Sequence, residues 1–120
     1  MIRITRTAQY AIFATMRIAK HRSSEPVSAR ELAGDDIPTG FLSQILKELV
    51  KRGILKSIVG VAGGYRLSRK PTDISLLNII EAIEGPPSLF DDLPPKPRRA
   101  LDRANVAARN VLSKVTMADL

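Results

Sequence analysis

The stretch Thr39-Gly40-Phe41-Leu42-Ser43-Gln44-Ile45-Leu46-Lys47-Glu48-Leu49-Val50-Lys51-Arg52-Gly53 decides the fold. Leu42, Ile45, Leu46 and Leu49 recur at helical spacing on one side, while Gly40, Ser43, Gln44, Lys47 and Lys51 fall on the other. The pattern predicts a helix capped by Thr39, running to Arg52 and stopped by Gly53 as a left-handed C-cap. Just upstream, Gly34-Asp35-Asp36-Ile37-Pro38 reads as a tight polar turn. Ser28, with Glu31 three residues on, forms a capping box that opens a short helix through Ala33. Ser23-Ser24-Glu25-Pro26 is a loop. Before it, Thr5 caps a first helix to about Lys20, marked by Ala8, Ala11, Ile12, Thr15, Ile18 and Ala19.

Beyond Gly53 the periodicity changes. Ile54 to Val59 and Tyr65-Arg66-Leu67 read as two strands joined through Gly60, Gly63 and Gly64. Three helices followed by a hairpin is the order of a winged helix-turn-helix, so the expected class is mostly α with a small β-hairpin wing. Ser75 then caps Leu76 to Glu84, a segment apolar on most sides that must pack against something, and Gly85-Pro86-Pro87 ends it. Ser88 to Pro97, with Asp91, Asp92, Pro94, Pro95 and Pro97, has the composition of an extended linker. In a last helix, Leu101, Ala104, Ala108, Val111 and Val115 alternate three and four apart, the seam of a two-stranded coiled coil. The expected division is a winged helix-turn-helix over 1–86, a linker over 87–97, and a dimerisation helix with its tail over 98–120.

Composition narrows the function. The 120 residues suffice for one modest core. Cysteine is absent, which removes disulfides, thiolate catalysis and cysteine-held clusters by chemistry. The catalytic inventory is thin as well: there is no G-x-S-x-G, no phosphate loop of the Walker type, and one histidine, His21, set between Lys20 and Arg22 and read as a surface residue. An enzyme is therefore not expected, nor a cofactor or metal. No stretch approaches the roughly 20 apolar residues of a membrane span, and the first residues carry no apolar signal region, so a cytoplasmic protein without membrane contact is expected.

The net charge of +7 is unevenly placed. Residues 1–70 hold 13 Lys and Arg against 5 Asp and Glu, and residues 71–120 hold 6 against 7. The cationic excess thus belongs to the helix-turn-helix, as a polyanion-binding surface requires. On the third helix, Ser43 and Gln44 suit base edges and Lys47 and Lys51 suit guanine acceptors or phosphates, with Thr39 and Gly40 entering the major groove deepest. Any amphipathic helix has a solvated face; the neighbouring turn and hairpin favour the DNA reading. Gly63 and Gly64 permit close backbone approach to a phosphate or groove floor, with Lys56, Tyr65, Arg66, Arg69 and Lys70 around them. Thr5 and Arg6 can meet phosphate at the start of the first helix, and Ser28 can do the same at the second. The implied partners are double-stranded DNA and a second copy of the chain. A winged-helix protein-interaction module and a nonspecific DNA binder are the alternatives.

Four segments, Tyr10-Ala11, Phe41 to Leu46, Gly63 to Leu67, and Ile74 to Leu77 continuing through Glu81 to Pro86, resemble the IscR, NsrR and CymR family of regulators over roughly the first three-quarters of the chain. The resemblance implies a homodimeric transcription regulator, expected to be a repressor at an inverted-repeat operator. Its third helix would enter the major groove, its wing the minor groove, and its C-terminal helix would make the dimer. Many members carry a cluster on three cysteines just beyond the segment matching Glu84-Gly85-Pro86. Here that region reads Ser88, Phe90, Asp91 and Asp92, so the resemblance is to a cluster-free member whose signal comes through an unknown small molecule or partner protein, or not at all. The family wing often reads Arg-Gly-Pro-Gly-Gly-Gly-Tyr, whereas this one reads Val59-Gly60-Val61-Ala62-Gly63-Gly64-Tyr65, without the arginine.

Overall fold

Helix α1 (Arg6–Ala19) begins where the Thr5 hydroxyl oxygen accepts from the Ala8 amide at 3.2 Å, and it buries Ala8, Ala11, Ala14, Thr15 and Ile18. The computed structural model describes residues 4–21, 25–85 and 93–120. Ser23, Ser24, Pro86, Pro87, Ser88, Phe90, Asp91 and Asp92, on which several expectations fell, lie outside them.

Helix α2 (Ala29–Ala33) is capped by Ser28, whose hydroxyl accepts from the Glu31 amide at 3.1 Å. Only this half of the expected capping box forms, because the Glu31 carboxylate turns toward His21 Nε2, 3.7 Å away. His21 therefore has an acidic neighbour that sequence proximity did not offer. Arg17 of α1 lies over the Phe13 ring, 4.3 Å from its centroid, and donates to the Leu32 carbonyl near the end of α2, where backbone acceptors lack helical partners.

Helix α3 (Thr39–Lys51) buries Leu42, Ile45, Leu46 and Leu49 as expected. The cap position belongs to Pro38 rather than Thr39: Thr39 is the first helical residue, and the Pro38 carbonyl accepts from the Leu42 amide at 3.0 Å. Gly53, with φ 79°, ends the helix in the left-handed region. Strands β1 (Leu55–Ile58) and β2 (Gly64–Leu67) pair antiparallel in the register Leu55 with Leu67, Lys56 with Arg66, Ser57 with Tyr65 and Ile58 with Gly64. Leu55 is buried, and Tyr65 and Leu67 pack against the core. Tyr65 also exchanges two backbone hydrogen bonds with Val27, at 2.8 and 2.9 Å, which ties the wing to the chain entering α2.

A 3-10 turn (Pro71–Asp73) leads to α4 (Leu76–Glu84). There Ser75 and Asn78 form a complete capping box, with bonds of 2.9 and 3.0 Å. The apolar faces of α4 pack on α1 and α3, with Ile79, Ile80 and Ala82 buried.

Two boundaries near the C-terminus differ from the sequence reading. Helix α5 (Pro95–Leu112) starts inside the expected linker, with Pro95 and Pro97 in its first turn. The amides of a first turn have no intrahelical acceptor, so proline sacrifices nothing there. The helix also stops early, so Val115 is not on it. The Val115 carbonyl accepts from the Leu76 amide at 2.8 Å, and the Met117 amide donates to the Ile74 carbonyl at 2.9 Å. Met117, in a closing 3-10 turn (Met117–Asp119), is buried in the same core as α1, α3 and α4. The tail therefore packs on the helix-turn-helix unit. Among the described residues no helix is long and apolar enough to cross a membrane.

Candidate nucleic-acid interface

The outward side of α3 carries Gly40, Gln44, Lys47 and Lys51 at successive separations of four, three and four residues, all exposed. Thr39 is exposed beside them, and Ser43 is half-buried at the margin of the row. Burial of the opposite four residues leaves this helix one rotation about its axis, so the row owes its direction to the core. Glu48, the only carboxylate on α3, is turned aside and paired with Arg52 at 3.2 Å, which leaves the row itself cationic. Phe41 meets Tyr10 of α1 edge-on, with centroids 5.8 Å apart, and fixes the first turn of α3 against α1.

The wing adds a second cationic element. The pairing register sets Lys56 directly opposite Arg66. Lys56 is exposed and Arg66 half-buried. The glycines behind the pair serve the protein itself. A Cβ on Gly63 would overlap the Ile58 carbonyl oxygen, and one on Gly64 would lie 2.5 Å from the Val27 carbonyl oxygen. Close approach of backbone to backbone inside the wing thus explains Gly63-Gly64 without a phosphate. Tyr65 likewise packs inward.

At the start of α1, the Thr5 hydroxyl donates to the Glu84 carboxylate while accepting from the Ala8 amide, so it is engaged within the chain. Arg6 is the exposed cation there. Ser28 is exposed, and its hydroxyl oxygen serves the α2 cap.

Helix α5 is fastened to α4 by Arg109, which reaches Glu81 Oε1 from Nη2 at 2.9 Å and from Nε at 3.3 Å. Asn105 is its one buried residue. Of the expected seam, Leu101 and Ala108 are half-buried, whereas Ala104 and Val111 are exposed, Val111 by 64%. At 100° per residue the exposed apolar row is Ala100, Ala104, Ala107 and Val111, rotated from the heptad reading. The heptad pattern could not register that Arg109 would dock on Glu81 of α4 and that Asn105 would be buried.

The chain is similar to known regulators over nearly its whole length. The family model described as "Rrf2: Iron-dependent Transcriptional regulator" matches residues 4–120. The HTH-type transcriptional regulator CymR of Bacillus subtilis (strain 168) is 30% identical over 123 residues, covering 99% of this chain and 89% of that one. Among solved structures, CymR (YrzC), described as the global cysteine regulator of B. subtilis, aligns with a TM-score of 0.84 at 29% identity, covering 99% of this chain and 95% of that chain. IscR of T. potens aligns with a TM-score of 0.83 at 28% identity, covering 98% of this chain and 84% of that chain. The donor set for a cysteine-held iron–sulfur cluster does not fit here, since the sequence has no cysteine. Among the described residues no group of three or more His, Asp or Glu could hold a metal ion.

Proposed function

The chain belongs to the Rrf2 family of DNA-binding transcription regulators, which are not enzymes, and on that premise we propose that it acts as a homodimer on an inverted-repeat operator and represses by occupying it. The observation that carries the reading is the exposed row Gly40, Gln44, Lys47 and Lys51 on a helix whose other side is locked into the core. Such a row can offer a bidentate amide to adenine from Gln44 and cations to guanine or phosphate from the lysines. Lys56 and Arg66 of the wing, with Arg6 at the start of α1, supply charge for the backbone on either side.

Dimerisation is supported by α5. An 18-residue helix with one buried residue gains little from its own domain, whereas most helical stability in proteins comes from packing an amphipathic face. The exposed row Ala100, Ala104, Ala107 and Val111 offers a second copy a surface with small side chains that lets two helices approach closely. A two-fold pair of α3 helices reads half-sites one helical turn, roughly 34 Å, or a multiple of it apart.

The test is a fluorescence-anisotropy titration against duplexes selected from a random library and against an unrelated duplex, at several salt concentrations. Selective binding to an inverted repeat, weakening steeply with salt, is expected. Gln44→Ala should cost about 1–3 kcal/mol, mainly at one base position of each half-site. Equal loss on every sequence removes the base-reading role of Gln44. Salt-insensitive failure to bind any duplex would favour a protein-interaction module instead.

A further inference from the structure

We propose that the wing tip Val59-Gly60-Val61-Ala62 reads the DNA minor groove through apolar contact, selecting base pairs that lack the guanine 2-amino group. The inference rests on the duplex-DNA reading above. Val59 is 95% exposed and Val61 111%, both in the loop between Ile58 and Gly64. Lone exposed valines are ordinary; two in one short turn at the end of the cationic hairpin form a presented surface.

Three features direct that surface to a minor groove. First, the wing is fixed to the end of α3: the Gly53 amide donates to the Val50 carbonyl at 3.0 Å and the Ile54 amide to the Leu49 carbonyl at 2.9 Å. A four-residue strand then spans roughly 13 Å and the turn carries the tip further. That reach matches the half-turn of duplex, about 17 Å, between the major groove holding α3 and the neighbouring minor groove. Second, Lys56 and Arg66 face each other midway along the hairpin, where the intervening phosphate ridge would pass. Third, the tip is slim. It carries no side chain larger than valine, and the Gly63 amide closes it by donating to the Gly60 carbonyl at 3.0 Å, so it suits a groove about 6 Å wide.

The chemistry of the tip decides what it can distinguish. Val59, Val61 and Ala62 have no side-chain donor or acceptor, so hydrogen-bond readout by side chains is closed to them. An A·T pair presents a minor-groove floor without a protruding group. A G·C pair adds the 2-amino group, which both obstructs the methyl groups and loses water to an apolar surface. The tip therefore disfavours the amino group wherever it comes from, irrespective of the major-groove face of the same pair.

Modified bases separate these faces. Inosine·C keeps the major-groove face of G·C without the amino group, and 2,6-diaminopurine·T keeps the major-groove face of A·T and adds it. The selected operator is prepared with A·T, G·C, inosine·C or diaminopurine·T beneath each wing, and affinity is measured for the wild-type chain and for Val59→Ser/Val61→Ser. The expected result is that A·T and inosine·C bind about tenfold more tightly than the other two, equivalent to about 1.4 kcal/mol. The double variant, with an unchanged melting temperature, should lose most of that preference. Discrimination that follows the major-groove face, that is absent, or that survives in the variant overturns the wing-tip inference while leaving selective DNA binding intact. Failure of the wild-type chain to select any duplex overturns the DNA reading beneath it as well.

Discussion

Met117→Ala tests the role of the tail most directly. Met117 is 3% exposed and packs in the core with Ile74 and Ile79, and its amide is bonded to Ile74. Truncation removes three methylene-sized groups, worth roughly 2.4 kcal/mol at about 0.8 kcal/mol each. A cavity term adds to this in rigid surroundings. Here the residue sits in a short 3-10 turn that can settle toward the core, so that term is small. The expected loss is about 2–3 kcal/mol, which for a chain of this size lowers Tm by roughly 6–15 °C. Urea unfolding followed by far-UV circular dichroism reads it, with protomer concentration held constant because dimer dissociation also moves the midpoint. Met117→Leu, close in volume, should cost less than about 1.5 kcal/mol. A midpoint shift for Met117→Ala worth under about 0.5 kcal/mol would refute the packing argument. So would a variant that keeps its stability at high concentration and loses it only on dilution, since that behaviour belongs to a residue of the dimer contact.

Two further outcomes follow from geometry. Gly64→Ala should destabilise the fold by at least about 2 kcal/mol in the same unfolding assay, because the new Cβ meets the Val27 backbone, which cannot move without breaking the wing's bonds to it. Gly40→Ala, with nothing within 4 Å of its added Cβ, should leave the midpoint unchanged or raised, so equal losses at both positions would refute the distinction. Val111→Asp places a charge on the exposed row of α5 and should convert a dimer to monomers in light scattering, with the monomer's helix content retained; an unchanged mass would remove Val111 from the contact.

Much of the candidate site could be read from the chain before any coordinates. The buried and exposed sides of α3, the caps at Thr5, Ser28 and Ser75, and the hairpin around Gly63-Gly64 are all visible in residue spacing. Each rests on bonds between residues three or four apart, or across one short turn, so local order carries the information. The concentration of charge in residues 1–70 and the absence of cysteine are properties of the sequence outright. What lay beyond it depends on residues that meet only after folding. Thr5 finds Glu84 and His21 finds Glu31. A Cβ on Gly63 or Gly64 would meet the carbonyls of Ile58 and Val27. The heptad through Leu101 to Val115 is real as a spacing, yet Arg109 docks on Glu81 and rotates the free face of α5 toward Ala100, Ala104, Ala107 and Val111. The tail after Leu112 returns to Ile74 and Leu76 because burying Met117 and pairing two backbone groups there outweighs one more helical turn in water. Spacing within a segment thus determined which elements form and which side of each is apolar, while competition among surfaces far apart in the chain, settled by burial and by the partners each polar group could reach, decided where the helices point and which residues remain on the outside.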